Sequence, residues 1–460
     1  MKIAIIGAGI SGLVCAHRLH AHHNITIFEA NSYPGGHTNT ADVLCGDRHF
    51  AIDTGFIVFN DRTYPNFIKL LDSLGVESQP TIMSFSVKCE RTGLEYRGAD
   101  FKGLFAQKRN LVNPRFLRLL YDLVKFNREA GELVPDFAGG NASGDTASGD
   151  SRDYDESETL KQFISRKNYS RQFVEQFLLP MGSAIWSCPF EKFEQFPIEF
   201  IAEFYRNHGL LSVTNRPQWR VIKGGSREYV RKLIVPFEDR IRLDTPVRSV
   251  VREADQVVVS FDSSQRASDG AVLENEKFDH VIFACHADQA LRMLSEGTTR
   301  NEREILSAFP YERNIATLHT QEDVLPKARA AWAAWNYFNP VGPSSSATVT
   351  YNMNILQSLE TDTVFNVTLN DSGRIREENV IEQFTYHHPT FDLNRKKMQR
   401  RHAELIGANR SSFCGAYWGN GFHEDGVNSA IAVADWFDGL TDESESGLDN
   451  TASNPAYAAR

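Results

Sequence analysis

The sequence predicts an α/β fold that opens on a Rossmann-type βαβ unit, and three observations carry that reading. The apolar run Lys2-Ile-Ala-Ile-Ile-Gly7 has the length of a buried strand; Gly7, Gly9 and Gly12 follow in GxGxxG spacing; and a second run, Asn24-Ile-Thr-Ile-Phe28, ends on Glu29. Gly7 suits a tight turn, Gly9 lets a backbone approach a pyrophosphate, and Gly12 allows close packing of helix on strand. Ser11 falls in the first helical turn, whose N–H groups face negative phosphates. Glu29 sits where a carboxylate accepts hydrogen bonds from a ribose 2′-hydroxyl and repels a 2′-phosphate, so the unit is expected to bind a dinucleotide other than NADP.

The helix between the two strands ends near His20. Apolar spacing predicts further helices over 61–75, 163–177, 287–294 and 302–309. From 240 to 285 the chain is strand-rich, with Ile241–Leu243, Val247–Val251, Val257–Phe261 and Phe278–Phe283 expected to return to the nucleotide sheet. The segments 135–159 and 441–460 have the Gly, Ser and Asp bias of disordered chain. Residues 101–128 interleave apolar side chains with Lys102, Lys108, Arg109, Arg115, Arg118, Lys125 and Arg128 against one acid, Asp122. Such a stretch suits either peripheral contact with an anionic membrane or a core-facing helix with a charged, solvated face.

A net charge of −10 argues against a general nucleic-acid binder. The six cysteines are scattered without a CxxC pair, as expected of buried free thiols in a reducing, cytoplasmic setting. No secretory signal is expected at the N-terminus, and no apolar run approaches the roughly 18 residues of a membrane-spanning helix. His387-His388 has no carboxylate or cysteine at helical spacing, so no metal is assigned. The count of 31 Phe suits a large apolar pocket, although Phe most often fills cores.

Beyond Glu29, the elements Tyr33-Pro-Gly35-Gly36-His37-Thr38-Asn39, Trp219-Arg-Val-Ile-Lys-Gly224-Gly225, Asp244-Thr-Pro-Val247, His280–Cys285 and Gly421-Phe-His423-Glu424-Asp425-Gly426-Val427 resemble, in order, the FAD-dependent amine oxidase and phytoene desaturase superfamily. More narrowly, Gly35–Thr40, Asp53-Thr-Gly-Phe-Ile-Val58, Asn207–Leu211, Pro217–Trp219 and Phe413–Trp418 are similar to predicted NAD/FAD-binding oxidoreductases related to fatty-acid desaturase-like and double-bond isomerase-like flavoproteins. The resemblance spans nearly all of 1–440.

It implies FAD as cofactor, with Gly7, Gly9, Ser11 and Gly12 at the pyrophosphate, Glu29 at the adenosine ribose, and Gly36, His37 and Thr38 along the cofactor. Val247 would meet the adenine side through its backbone, and Gly421, Phe422, Gly426 and Val427 would lead a helix to the flavin end. The family departs here in two places: His37 stands where an arginine is common, and Ala416-Tyr417-Trp418 replaces an expected acid. Tyr417 and Trp418, either as lining of the flavin's substrate face or as core aromatics, and His423 and Glu424, either as polar groups near the flavin or as turn and cap residues, are the candidate catalytic positions. Arg97 and Arg62 are candidates for a substrate carboxylate.

The expected organisation is a discontinuous FAD domain from 1–80, 215–300 and 405–440, interleaved with an α+β substrate domain from 81–214 and 301–404. The expected function is FAD-dependent dehydrogenation or isomerisation of an unsaturated fatty acyl chain, a lipid-like small molecule. The alternatives are a flavin-containing amine oxidase and, from another class, a non-catalytic flavin-binding scaffold or lipid carrier. The oligomeric state is left open.

Overall fold

A computed structural model describes residues 1–134, 158–186, 188–211, 216–267, 270–341, 348–390 and 394–446. The chain divides into two compact units, Met1–Gly36 with Leu233–Glu304 and Gln399–Arg460, and His37–Lys232 with Ile305–Met398. The first boundary thus falls at Gly36 where 80 was expected, and 37–80 and 215–232 lie with the second unit. Of the segments expected to be disordered, 135–157 and 447–460 lie outside the described residues. The rest is ordered: Thr159 caps the helix Leu160–Lys167, and the last helix runs from His423 to Ser446.

The first unit is built on a five-stranded parallel sheet in the order Ile241–Arg242, Asn24–Phe28, Lys2–Ile6, His280–Phe283, Ser411–Phe413. Its central strands read as unbroken apolar runs because helices cover such a sheet on both faces. Ile3, Ala4 and Ile5 are fully buried, as are Leu13, Cys15 and Ala16 of the helix Ile10–Leu19.

Two of the strands expected in this sheet are elsewhere. Val257–Ala267 pairs with Val247–Arg252 on one side and Gly270–Phe278 on the other as a separate antiparallel sheet. The cause is connection length: strands joined by a few residues can only turn back antiparallel, whereas parallel neighbours need a crossover of a dozen residues or more. Arg252, on that small sheet, donates to both carboxylate oxygens of buried Glu302, to Ser411 Oγ at 2.8 Å and to the Gly297 carbonyl at 2.6 Å. Side-chain exposures are 9% and 1%, so this is an internal ion pair.

The second unit holds a seven-stranded sheet in the order Val380–Pro389, Tyr311–His319, Asn366–Leu369, Thr348–Asn352, Trp335–Asn339, Phe85–Cys89, Leu94–Arg97. Only Trp335–Asn339 and Phe85–Cys89 run parallel. Val87, Tyr96, Leu318, Tyr337, Val349 and Val367 place their side chains in its core. Helices between 101 and 207 form a second, strongly aromatic cluster, in which Trp186 touches Phe193, Phe196, Phe200, Phe204 and Tyr205. The expected helix over 163–177 is present in pieces, Leu160–Lys167 and then a helical stretch from Arg171 that passes through a π segment, Val174–Leu178, and continues to Trp186. No described helix is long and apolar enough to cross a membrane.

Removing one member of a buried ion pair strands the other, at a cost of about 3–5 kcal/mol. Burial raises the Glu302 pKa, but the Arg252 and Thr299 hydrogen bonds outweigh it and hold the carboxyl below its ordinary value. Glu302→Ala should therefore lose about that much in urea unfolding at neutral pH, and the gap to the wild type should narrow as acid protonates the wild-type carboxylate. An unfolding midpoint unchanged by Glu302→Ala would remove this pair from the fold's support.

Candidate functional site

The first turn of the chain is shaped by three glycines for different reasons. Gly7 has φ +107°, and a Cβ there would lie 2.8 Å from the Ala284 carbonyl oxygen. A Cβ on Gly12 would collide with the carbonyl oxygen of Gly7, so helix and strand meet there without a side chain between them. Gly9 is different: its φ of −75° and ψ of 179° suit any residue, and a Cβ there would meet nothing within 4 Å. The fold does not require glycine at that position, whereas a ligand lying against the backbone would.

Two further segments of the first unit converge on this turn. Gly35 donates to the Ala8 carbonyl at 2.7 Å, and Gly36, at φ +60°, lies so close that its Cβ would sit 3.2 Å from Gly9 Cα. The helix His423–Ser446 packs against Ile10–Leu19, with Gly426 at the crossing. A Cβ on Gly426 would stand 2.8 Å from Ile10 Cγ2 and 2.9 Å from Ser11 Oγ. Two helix N-termini are thereby brought together, and each carries unsatisfied N–H groups and the positive end of a dipole. That arrangement favours an anion.

Glu29, 6% exposed, lies at the end of the second strand. Its Oε2 accepts from the Ala8 N–H at 2.8 Å and its Oε1 from the backbone and side-chain nitrogens of Asn31, both at 2.9 Å. Burial raises its pKa against those bonds. Val247 begins the small antiparallel sheet just after Thr245, whose N–H donates to the Glu29 carbonyl at 2.8 Å.

The candidate catalytic residues of the first unit fall on one turn and the helix after it. Tyr417 is 2% exposed and Trp418 half-buried in a 3-10 turn, Ala416–Trp418. Gln399 donates to the carbonyls of Tyr417 and Gly419 at 2.7 and 2.6 Å, and Gly415 donates to Ser429 Oγ at 2.9 Å. Trp418 stacks on His402 at 4.0 Å between centroids, and both ring N–H groups donate to the Phe413 carbonyl, at 3.1 Å from Trp418 and 2.7 Å from His402. Burial pushes His402 down to about 4, so its imidazole is neutral. His423 and Glu424, both buried, open the last helix beside Asp425, whose Oδ2 accepts from the Phe422 N–H at 2.8 Å. Val427 is buried one turn further. The roles of Asn31, Gln399, His402 and Ser429 escaped the sequence reading, because each acts through a partner distant in sequence or through a local hydrogen bond without a spacing signature.

In the second unit, His37 packs against Tyr386 and His388 at 5.1 and 5.4 Å, and burial holds it down at about 4. Thr38 Oγ1 is 2.6 Å from the Tyr229 hydroxyl. Beneath them Asp53, fully buried, receives the Thr40 hydroxyl at 2.7 Å, the Ser226 N–H at 2.7 Å and the Ser226 hydroxyl at 2.8 Å, all on Oδ1. Burial pushes it up to about 6. Arg97 donates to the Trp332 carbonyl at 3.1 Å and to Asp100 at 2.7 Å. Arg62 is exposed in the turn after Phe59–Asn60.

The fold and the glycine-lined turn define a dinucleotide-binding α/β protein of the flavoprotein class. The family model of flavin containing amine oxidoreductases matches residues 10–435, and the chain belongs to that family. It is 24% identical over 262 residues to the flavin-containing amine oxidase A of Equus caballus, a match covering 56% of this chain and 46% of that protein. The chain thus matches less than half the length of that relative. In three dimensions it resembles a redesigned putrescine oxidase, with a TM-score of 0.65 at 15% identity, covering 95% of this chain and 99% of that one. It also resembles a CLA-producing fatty acid isomerase from P. acnes, with a TM-score of 0.61 at 13% identity, covering 95% and 98%. The cofactor is FAD, and the residues around Gly9 fit it: bare backbone, two helix ends for the diphosphate, and a buried acid for the ribose.

Gly9→Val should leave the thermal unfolding of the apoprotein unchanged while weakening FAD binding 10-fold or more, about 1.4 kcal/mol. Gly12→Val should unfold the apoprotein itself. Equal effects of both on apoprotein stability would show that Gly9 serves the fold. Asp53 gives a pH test. Its pKa is raised on folding, so its contribution to stability is present below about 4 and lost as pH rises through about 6. Asp53→Asn should flatten that part of the stability-against-pH curve, measured by urea unfolding.

Proposed function

We propose that this flavin-dependent oxidoreductase acts on a lipid-like substrate, dehydrogenating or isomerising an unsaturated fatty acyl chain. The observation that carries the reading is how the second unit uses its buried carboxylates. Glu95 accepts the Lys327 and Ala328 N–H groups, and Asp122 accepts Arg118 and the Ser170 N–H. Only Asp53, among the buried acids described there, keeps an oxygen without a hydrogen bond. A unit whose acids are spent internally and whose helical layer is aromatic favours apolar chains over cations.

FAD supplies the hydride chemistry. The chain's own tasks are holding and orienting. Gly7, Gly9, Ser11, Gly12 and Gly426 would receive the diphosphate, Glu29 the ribose, and Val247 the adenine side. Gly36, His37 and Thr38 would run along the cofactor, with Gly421, Phe422 and Val427 leading to the flavin end. Tyr417 and Trp418 would wall the substrate side, held stiff by Gln399 and the neutral His402. His423 and Glu424 would supply the polar groups near the ring, and Arg97 and Arg62 are the candidates for a substrate carboxylate.

Amine oxidation is the second reading. It is supported by the family to which the chain belongs. Anaerobic mixing of the FAD-loaded protein with unsaturated fatty acids and, separately, with alkyl amines and diamines tests the two readings. Loss of the flavin's visible absorbance, or a shifted double bond in recovered product, is expected with fatty acids alone. Bleaching by amines alone would overturn the lipid reading, and a protein inert to both sets and to mild reductants would mark a flavin-binding scaffold.

A further inference from the structure

The segment 101–128 suits two readings, and its surface favours one of them. It folds as a short helix, Phe101–Leu104, a 3-10 stretch, Lys108–Val112, and a long helix, Pro114–Gly131, that Asn113 caps. The long helix buries Phe116, Leu119, Phe126 and Ala130 in the second unit. A core-facing helix would then present a polar outer face. This one presents Leu117, Tyr121 and Val124, spaced as one stripe and 45%, 61% and 69% exposed. Val112 at 81%, Leu111 at 47% and Phe101 at 70% extend the apolar surface. Phe101 is joined to the long helix through Phe105, which contacts both it and Phe116.

Fifteen large apolar side chains are exposed across the described chain, and six of them lie in this short segment, so the concentration is not the ordinary scatter of surface apolar residues. Cations ring them. Lys102, Lys108, Arg115 and Arg128 have no ion-pair partner among the described residues, and the segment's acid, Asp122, is buried and already bound to Arg118 and Ser170. In a protein of net charge −10 this face is locally basic.

We propose that this face docks on an anionic lipid bilayer, with Phe101, Leu111, Val112, Leu117, Tyr121 and Val124 entering the headgroup region and the lysines and arginines meeting lipid phosphates. Apolar side chains ringed by Lys and Arg match an interface that is apolar below and negatively charged above. Each cation near such a surface strengthens the attachment, and salt screens it. The face is independent of the substrate reading, since an amine oxidase could carry it equally.

The test is flotation of the full-length, FAD-loaded protein with vesicles of phosphatidylcholine alone or with a third phosphatidylglycerol. Binding is expected with phosphatidylglycerol, reduced at high salt and at least 10-fold weaker in Val112→Asp/Val124→Asp and in Lys108→Glu/Arg115→Glu. These side chains are exposed, so both variants should keep bound FAD and the wild-type unfolding temperature. Absence of binding to anionic vesicles at low salt would overturn the proposal. So would equal binding by the variants, or a concentration-dependent dimer that the same substitutions abolish while no vesicle binds, which would make the face a contact between copies of the chain.

Discussion

Everything assigned to the first unit rests on the approach of two helix N-termini over a backbone bare of side chains. The helices Ile10–Leu19 and His423–Ser446 can meet there because Gly12 packs against the Gly7 carbonyl and Gly426 against Ile10 and Ser11. Two positive dipole ends at one place repel each other unless an anion lies between them, so the geometry stores a demand for negative charge. Gly9 suits a ligand at that place. The fold would tolerate a side chain at Gly9, and only a group resting on its backbone would not.

From that point the rest of the unit follows as support. Glu29 is fixed by Ala8 and Asn31 at the end of the neighbouring strand, within the same turn. The chain after the last strand is pinned by Gln399, Ser429 and His402, which leaves Trp418 stacked and hydrogen-bonded rather than free to rotate. A redox enzyme whose cofactor performs the chemistry gains most from such rigidity, since misplacement of a reacting group by an ångström is costly.

Much of this was legible in the sequence because the signals are local. The strands Lys2–Ile6 and Asn24–Phe28, the helix Ala287–Leu294 and the glycine spacing all depend on residues close together in the chain. What failed depended on distant partners. Strands 247–252 and 257–267 have the composition of sheet strands, but which sheet they join is set by the short links between them, and they pair with each other. For residues 101–128 the pattern showed amphipathic character but not which apolar residues turn outward, because only the packed core distinguishes Phe116 from Leu117.

The most direct test of the account is a comparison of FAD, FMN and riboflavin binding to the apoprotein by calorimetry. With the helix ends proposed to hold the diphosphate and Glu29 the adenosine ribose, FAD should bind at least 100-fold more tightly than either smaller flavin, about 2.7 kcal/mol. FMN or riboflavin binding as tightly as FAD would place the affinity in the ring and contradict it.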